Sequence, residues 1–270
     1  MHEAGPRKSP RIISVANQKG GVGKTTTTIN LAAGLAEFGY KVLVVDIDPQ
    51  GNASTGLGVP PETRKQTSYD LLLEQAVLVD LIHDTTVPGI SLCPANADLA
   101  SADIDLVASE KRSFLLSDAF QEANFLAAGF DFVLIDCPPS LSLLTVNALV
   151  AAESVLIPLQ SEFFALEGLS QLMLTIREIR KSANPRLRIE GVLVTMTDSR
   201  NRLSQQVEAD ARANLGEMVF STTIPRNVRV SEAPSYALPV LQYDPASKGA
   251  DAYRRLTLEV IARRSSGRAA

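Results

Sequence analysis

An apolar run, Arg11-Ile12-Ile13-Ser14-Val15-Ala16, passes directly into Asn17-Gln18-Lys19-Gly20-Gly21-Val22-Gly23-Lys24-Thr25-Thr26, and a segment of helical period follows from Thr25 to Phe38. A strand, a glycine-rich turn and a helix in that order leave a chain few ways to fold. Glycines let the backbone curl until successive N–H groups point inward, and the positive end of the following helix adds to their field. Such a turn holds a phosphate chain, with contacts from Lys19, Gly20, Gly21, Val22, Gly23, Lys24, Thr25 and Thr26. Lys24 is placed for the β and γ phosphates, the Thr25 hydroxyl for Mg²⁺ and the Thr26 hydroxyl for the α-phosphate. The usual pattern G-x-x-x-x-G-K-[ST] would put glycine at position 18, where this chain has Gln18, and an additional lysine stands at Lys19. One triphosphate must be shared by both lysines, or one of them must look elsewhere.

Further apolar runs of β type recur at Lys41 to Asp46, Ser91 to Pro94, Phe130 to Asp136, Ser154 to Leu159, Ile189 to Thr195 and Val219 to Ile224. Segments of helical period lie between most of them; Thr25 to Phe38 puts Ile29, Ala32, Ala33 and Ala36 on one face, and Leu166 to Ile179 does the same with Leu169, Leu172, Met173 and Ile176. Strands alternating with helices imply a single-domain α/β fold, a mostly parallel twisted sheet with helices on both faces, of the P-loop NTPase type. No Pro-, Gly- or Ser-rich linker interrupts it. The expected organisation is a disordered tail over 1–10, an ATPase domain over 11–264 and a second disordered tail over 265–270. In such sheets ligands bind at the carboxyl ends of strands. Asp46 and Asp48 follow the run Val42-Leu43-Val44-Val45, and Asp136 follows Phe132-Val133-Leu134-Ile135. An acid closing four apolar residues is costly in a core and well placed beside Mg²⁺ at a strand mouth.

Composition narrows the partners. Aromatic residues make up 5% of the 270 and tryptophan is absent, so stacking platforms for single-stranded nucleic acid are not expected. A formal net charge of −4 gives no global field for DNA or an anionic membrane. Contact must then be local, and two basic clusters exist, Arg177 to Arg202 and Arg254 to Arg268; runs of this kind are usually solvated faces. The cysteines, Cys93 and Cys137, and the histidines, His2 and His83, have no metal-ligand spacing. With no signal peptide and no long apolar stretch, the expected location is the cytoplasm.

Asn17 to Thr28, then Val45-Asp46-Ile47-Asp48-Pro49-Gln50-Gly51-Asn52-Ala53-Ser54, then Ile135-Asp136-Cys137-Pro138-Pro139-Ser140 together resemble the ParA (Soj) partitioning ATPases. Phe163 to Leu169 and Ile224 to Ser235 are similar to that family too, so the likeness runs over about residues 11 to 262. The resemblance implies the deviant Walker A class, in which Lys19 reaches across a two-fold interface to the partner subunit's nucleotide while Lys24 serves its own. It implies that Asp48 orients the attacking water, Asp136 holds Mg²⁺ through water and Asp46 supports the metal shell. Pro225 and Asn227 match the segment lining the adenine. The same resemblance implies ATP and ADP as ligands, an ATP-dependent homodimer, and non-specific binding of double-stranded DNA through Arg200 and Arg229. It also implies hydrolysis stimulated by a ParB-type centromere-binding protein and a nucleoid-associated location.

Three other readings share parts of this pattern. A MinD-like ATPase would carry a membrane-inserting last helix, but the segment after Arg263, Arg264-Ser265-Ser266-Gly267-Arg268-Ala269-Ala270, has no bulky apolar residue for lipid, so no membrane contact is expected. A relative of the nitrogenase iron protein would need cluster-bridging cysteines, and Cys137, beside Pro138 and Pro139, better suits a buried small residue. A pure scaffold would leave Asp48 without purpose. Fewer than a dozen residues precede the first strand, so the expected type lacks an N-terminal operator-binding domain.

Overall fold

The structure is a computed structural model that describes residues 9–162 and 165–266. Eight strands form one sheet: β1 (Arg11–Val15), β2 (Val42–Asp46), β3 (His83–Asp84), β4 (Ile90–Cys93), β5 (Phe132–Asp136), β6 (Ser154–Gln160), β7 (Arg188–Thr197) and β8 (Ile224–Pro225). Their order is β3-β4-β2-β5-β1-β6-β7-β8, parallel throughout except for β3, which pairs antiparallel with β4. β1 is therefore central, paired to β5 and β6, and the loop that follows it opens at the middle of the sheet's carboxyl edge.

Alternate residues of each strand enter opposite cores, as the pleat requires. Ile13, Val15, Val42, Val44, Phe132 and Leu134 pack under helix α1 (Lys24–Glu37) and the last helix, Lys248–Ser266, through Ile29, Leu31, Tyr253, Leu256 and Val260. Ile12, Leu43, Val45, Val133 and Ile135 face the other way, against Leu144, Leu149, Leu169, Leu172 and Ile176 of the helices Leu143–Ala151 and Ala165–Ser182. Both faces are thus covered, which is the expected single-domain α/β architecture. α1 is buried on more than one side because the last helix lies on its outer face. The approach is closest at Gly34, where a Cβ would stand 2.1 Å from Thr257 Oγ1.

The strand expected over Val219 to Ile224 is reduced to β8 and one isolated bridge between Val219 and Val192. The cause is Glu259 on the last helix. Its carboxylate accepts the Ser221 and Thr222 N–H groups at 2.9 and 2.7 Å, drawing that backbone off the ladder. Of the expected tails over 1–10 and 265–270, residues 1–8 and 267–270 lie outside the described residues, as do Phe163-Phe164 of the similar segment, whereas 265 and 266 are helical and not disordered. The last helix itself runs on to Ser266. Among the described residues no helix is long and apolar enough to cross a membrane.

Candidate nucleotide site

The turn between β1 and α1 has the geometry its glycines permit. Gly21 and Gly23 adopt φ of 74° and 88°, values that a side chain would strain. Gly23 caps α1, whose first turn contains no acid, so its N–H groups and dipole face outward for an anion. The loop is held from three directions. Asn17 donates to the Pro158 carbonyl at 2.7 Å and accepts the Lys19 N–H at 3.0 Å; Thr195 donates to the Val22 carbonyl at 2.9 Å. Gln18, which stands where glycine is usual, donates to the Gly168 carbonyl at 3.0 Å, so that departure fastens the loop to the helix Ala165–Ser182.

The two lysines part company. Lys24 is buried and curls over its own loop, Nζ donating to the Lys19 carbonyl at 3.0 Å. Burial lowers its pKa, against the opposing pull of Asp136. Lys19 points to the rim instead, its Nζ 3.1 Å from Glu162 Oε2, with 35% of its side chain exposed.

Asp46 and Asp136 close neighbouring strands in direct register. Asp136 is fully buried; its Oδ2 accepts from Thr25 Oγ1 at 2.8 Å and its Oδ1 from Thr28 Oγ1 at 3.0 Å. Burial and then the charge of Asp46 push its pKa well up. Asp46 turns the other way: its Oδ2 accepts from Ser54 N and Oγ at 2.8 and 2.6 Å, and its Oδ1 from Asp48 N at 3.1 Å. Burial raises its pKa to about 6. Asp48 follows β2 on a tight turn in which its Oδ1 accepts from Gln50 N at 3.0 Å and its carbonyl from Gly51 N at 2.8 Å. An all-oxygen donor set of a threonine hydroxyl and adjoining buried carboxylates fits Mg²⁺. No cluster of three or more His, Cys, Asp or Glu side chains placed to hold a metal occurs among the described residues.

Beside the loop lies a pocket that includes Gly23 and Thr26 in its wall, with Met196, Pro225, Asn227 and Tyr253 around it. Pro225 and Asn227 therefore meet Thr26 at one cavity. Asn227 also caps the short helix Val228–Glu232, accepting the Arg229 N–H at 2.8 Å. Met196 and Tyr253 escaped sequence reasoning; one sits at a bulge with φ of 54° and the other reads as a core aromatic of the last helix.

Arg200 follows β7 and Arg229 follows β8, so both stand at the carboxyl end of the same sheet edge. Arg200 is 89% exposed in its side chain and leans on Asp198, with Nε to Oδ1 at 3.2 Å. Arg229 is engaged by two acids, Glu232 at 3.0 Å and Asp244 at 3.3 Å. Cys137 is wholly buried, its thiol donating to the Ile135 carbonyl at 3.8 Å.

A central strand, a glycine loop, a helix N-terminus and two acids on adjoining strand ends define a P-loop nucleoside-triphosphate-binding protein. The comparisons narrow this further. A family model described as an AAA domain matches residues 10–189. The chain is 54% identical over 253 residues to the chromosome partitioning protein ParA of Caulobacter vibrioides, covering 94% of each. It is 52% identical over 257 residues to the chromosome-partitioning ATPase Soj of Thermus thermophilus, covering 95% of this chain and 98% of that one. Among solved structures, a Mycobacterium smegmatis protein described as cobyrinic acid a,c-diamide synthase, with bound ATP analog and magnesium, superposes with a TM-score of 0.83. That pair is 38% identical, over 96% of this chain and 97% of the other. The chain belongs to the ParA/Soj family of chromosome-partitioning ATPases.

Proposed function

We propose that this ATPase works as a DNA-segregation switch: ATP and Mg²⁺ draw two copies into a sandwich dimer, the dimer binds duplex DNA without sequence preference, and hydrolysis releases it. ATP and ADP are its nucleotides, with phosphates on residues 19–26 and the base in the pocket of Pro225 and Asn227. The observation that carries the reading is the division between the lysines. Lys24 fills its own loop, whereas Lys19 extends to the rim beside Glu162, where it is placed to meet a second subunit's nucleotide.

Phosphoryl transfer asks mainly for positioning and charge neutralisation. Lys24 lies over the phosphate loop, Thr25 and Asp136 are the residues that would hold Mg²⁺, Asp136 through water, and Asp48 would orient the attacking water. Mg²⁺ supplies the charge that offsets the β and γ phosphates. Asp46 supports that shell through its bond to the Asp48 N–H. Arg200 and Arg229 meet DNA phosphates, and dimerisation doubles each weak contact into useful affinity. A ParB-type centromere-binding protein stimulates turnover, and the protein is cytoplasmic and nucleoid-associated, away from membrane. Residues 11–264 form the ATPase domain. The relatives named for partitioning are more similar to this chain, at 54% identity, than the synthase structure at 38%, which favours segregation over cofactor biosynthesis.

The test is fluorescence anisotropy of a labelled random duplex titrated with protein and Mg²⁺ in ADP or ATP, with Asp48→Ala to trap the ATP state. Binding only with ATP, weakening as salt rises, is expected. Equal binding with either nucleotide, or none, would sink the switch.

A further inference from the structure

The segment that carries Asp48 is fastened from behind by one side chain, Arg64. The residue is only 8% exposed, and its planar fork spans separate stretches of chain. Nε and Nη2 donate to the Val59 carbonyl at 3.0 and 2.7 Å, Nη2 to Thr55 Oγ1 at 2.7 Å, and Nη1 to the Ala95 carbonyl at 3.1 Å. Asp46 and Glu62 act on its charge through space, not through an ion pair, and burial lowers its pKa. A buried guanidinium held by two carbonyls and one hydroxyl, with no carboxylate on it, is a costly way to fill space. An apolar residue would pack as well, so the fork itself is what the site uses.

Two routes lead from that fork to Asp48. The first runs through the backbone of helix α2 (Asn52–Gly56): Thr55 Oγ1 donates to the Gly51 carbonyl at 3.2 Å, and Gly51 N donates to the Asp48 carbonyl at 2.8 Å. Gly51 has φ of 60°, and a Cβ there would stand 2.3 Å from Arg64 Nη1, so the guanidinium lies flat against this turn. The second runs through Ala95, whose N–H donates to Ser54 Oγ at 3.0 Å. Ser54 Oγ in turn donates to Asp46 Oδ2 at 2.6 Å, and Asp46 Oδ1 accepts the Asp48 N–H at 3.1 Å. Arg64 thus joins both ends of the circuit that sets the position of Asp48.

We propose that Arg64 is a positioning residue for hydrolysis, acting through Gly51 and Ser54 to hold Asp48 at the attacking water. This rests on the reading of Asp48 given above. It touches neither nucleotide nor metal, so its loss is felt in turnover and not in binding. Arg64→Lys keeps the charge, but one ammonium cannot span acceptors on three stretches. Gly51→Ala displaces the same guanidinium from the opposite side.

The experiment is single-turnover ATP hydrolysis with enzyme in excess, alongside the affinity for a fluorescent ATP analogue and the thermal midpoint. It compares wild type, Arg64→Lys, Gly51→Ala, Asp48→Ala and the double variant of Arg64→Lys with Asp48→Ala. Both positioning variants are expected to bind nucleotide as wild type does and to hydrolyse it roughly 10- to 100-fold more slowly, the scale of a misplaced reacting group. In the Asp48→Ala background, Arg64→Lys is expected to cost nothing further. Wild-type turnover in Arg64→Lys, a parallel loss of affinity, or an additive loss in the double variant would each overturn the proposal. Full turnover in Asp48→Ala would instead overturn the reading of Asp48 itself.

Discussion

Arg11 opens the strand that leads into the phosphate loop, and its guanidinium meets Glu190 on β7 at 2.5 Å, with 3% and 1% of the two side chains exposed. Arg11 Nη1 also donates to the Val260 carbonyl at 2.8 Å, and Ser154 Oγ donates to Glu190 Oε2 at 2.6 Å. One ion pair therefore ties β1, β6, β7 and the last helix together at the amino edge of the sheet. Glu190→Ala leaves that guanidinium charged and buried, which costs about 3–5 kcal/mol in comparable pairs. For a chain of this size that corresponds to a fall of roughly 10 °C in Tm. The double replacement of Arg11→Met with Glu190→Leu should recover most of the loss, because desolvation of both charges is avoided. Recovery is favoured here because Arg11 Nε finds no acceptor among the described residues. Urea unfolding of the four proteins in the cycle measures this, and nucleotide affinity at 25 °C should stay unchanged, since the pair sits at the end of the sheet away from the loop. A loss below about 1 kcal/mol in Glu190→Ala, the range of an exposed pair, would refute the claim that the charge is sealed from water.

Lys24→Ala should abolish nucleotide binding, while Lys19→Ala should keep it and fail to dimerise with ATP in analytical ultracentrifugation; equal loss of binding in both would contradict the division of roles. Arg200→Glu should remove DNA binding in the anisotropy assay and leave ATP-driven dimerisation intact, because its side chain is exposed and its ion pair is with Asp198, two residues away on the same loop. If dimerisation vanished as well, Arg200 would be structural. Both cysteines are wholly buried, and burial pushes both thiols up, so a thiol reagent should titrate neither in the native protein and both in denaturant. Rapid native labelling of either would mean that the strand end opens.

What could be read from the sequence follows how locally each feature is built. The placement of the glycine turn and of Asp46, Asp48 and Asp136 at the carboxyl ends of strands could be read because each is written within a few residues: a glycine turn after a strand, an acid at the end of an apolar run. Gln18 was visible as a departure, but its reason was not, since its partner Gly168 lies on a helix 150 positions away. The same distance hid Met196 and Tyr253, which reach the pocket from a strand bulge and from the last helix. Ser221 and Thr222 read as strand until Glu259 claims their N–H groups, a tertiary contact overriding a local preference. Arg64 is the sharpest case. In sequence it is one arginine in a polar stretch between Pro61 and Thr67, the kind of residue that normally faces water. Only the return of β4, which brings Ala95 against Gly51, encloses it. Residues that touch the phosphates must sit near the glycines and so declare themselves by spacing. A side chain such as Arg64 need only reach the Asp48 turn through hydrogen bonds to Thr55 and Ala95, and no periodicity in the chain marks which one will.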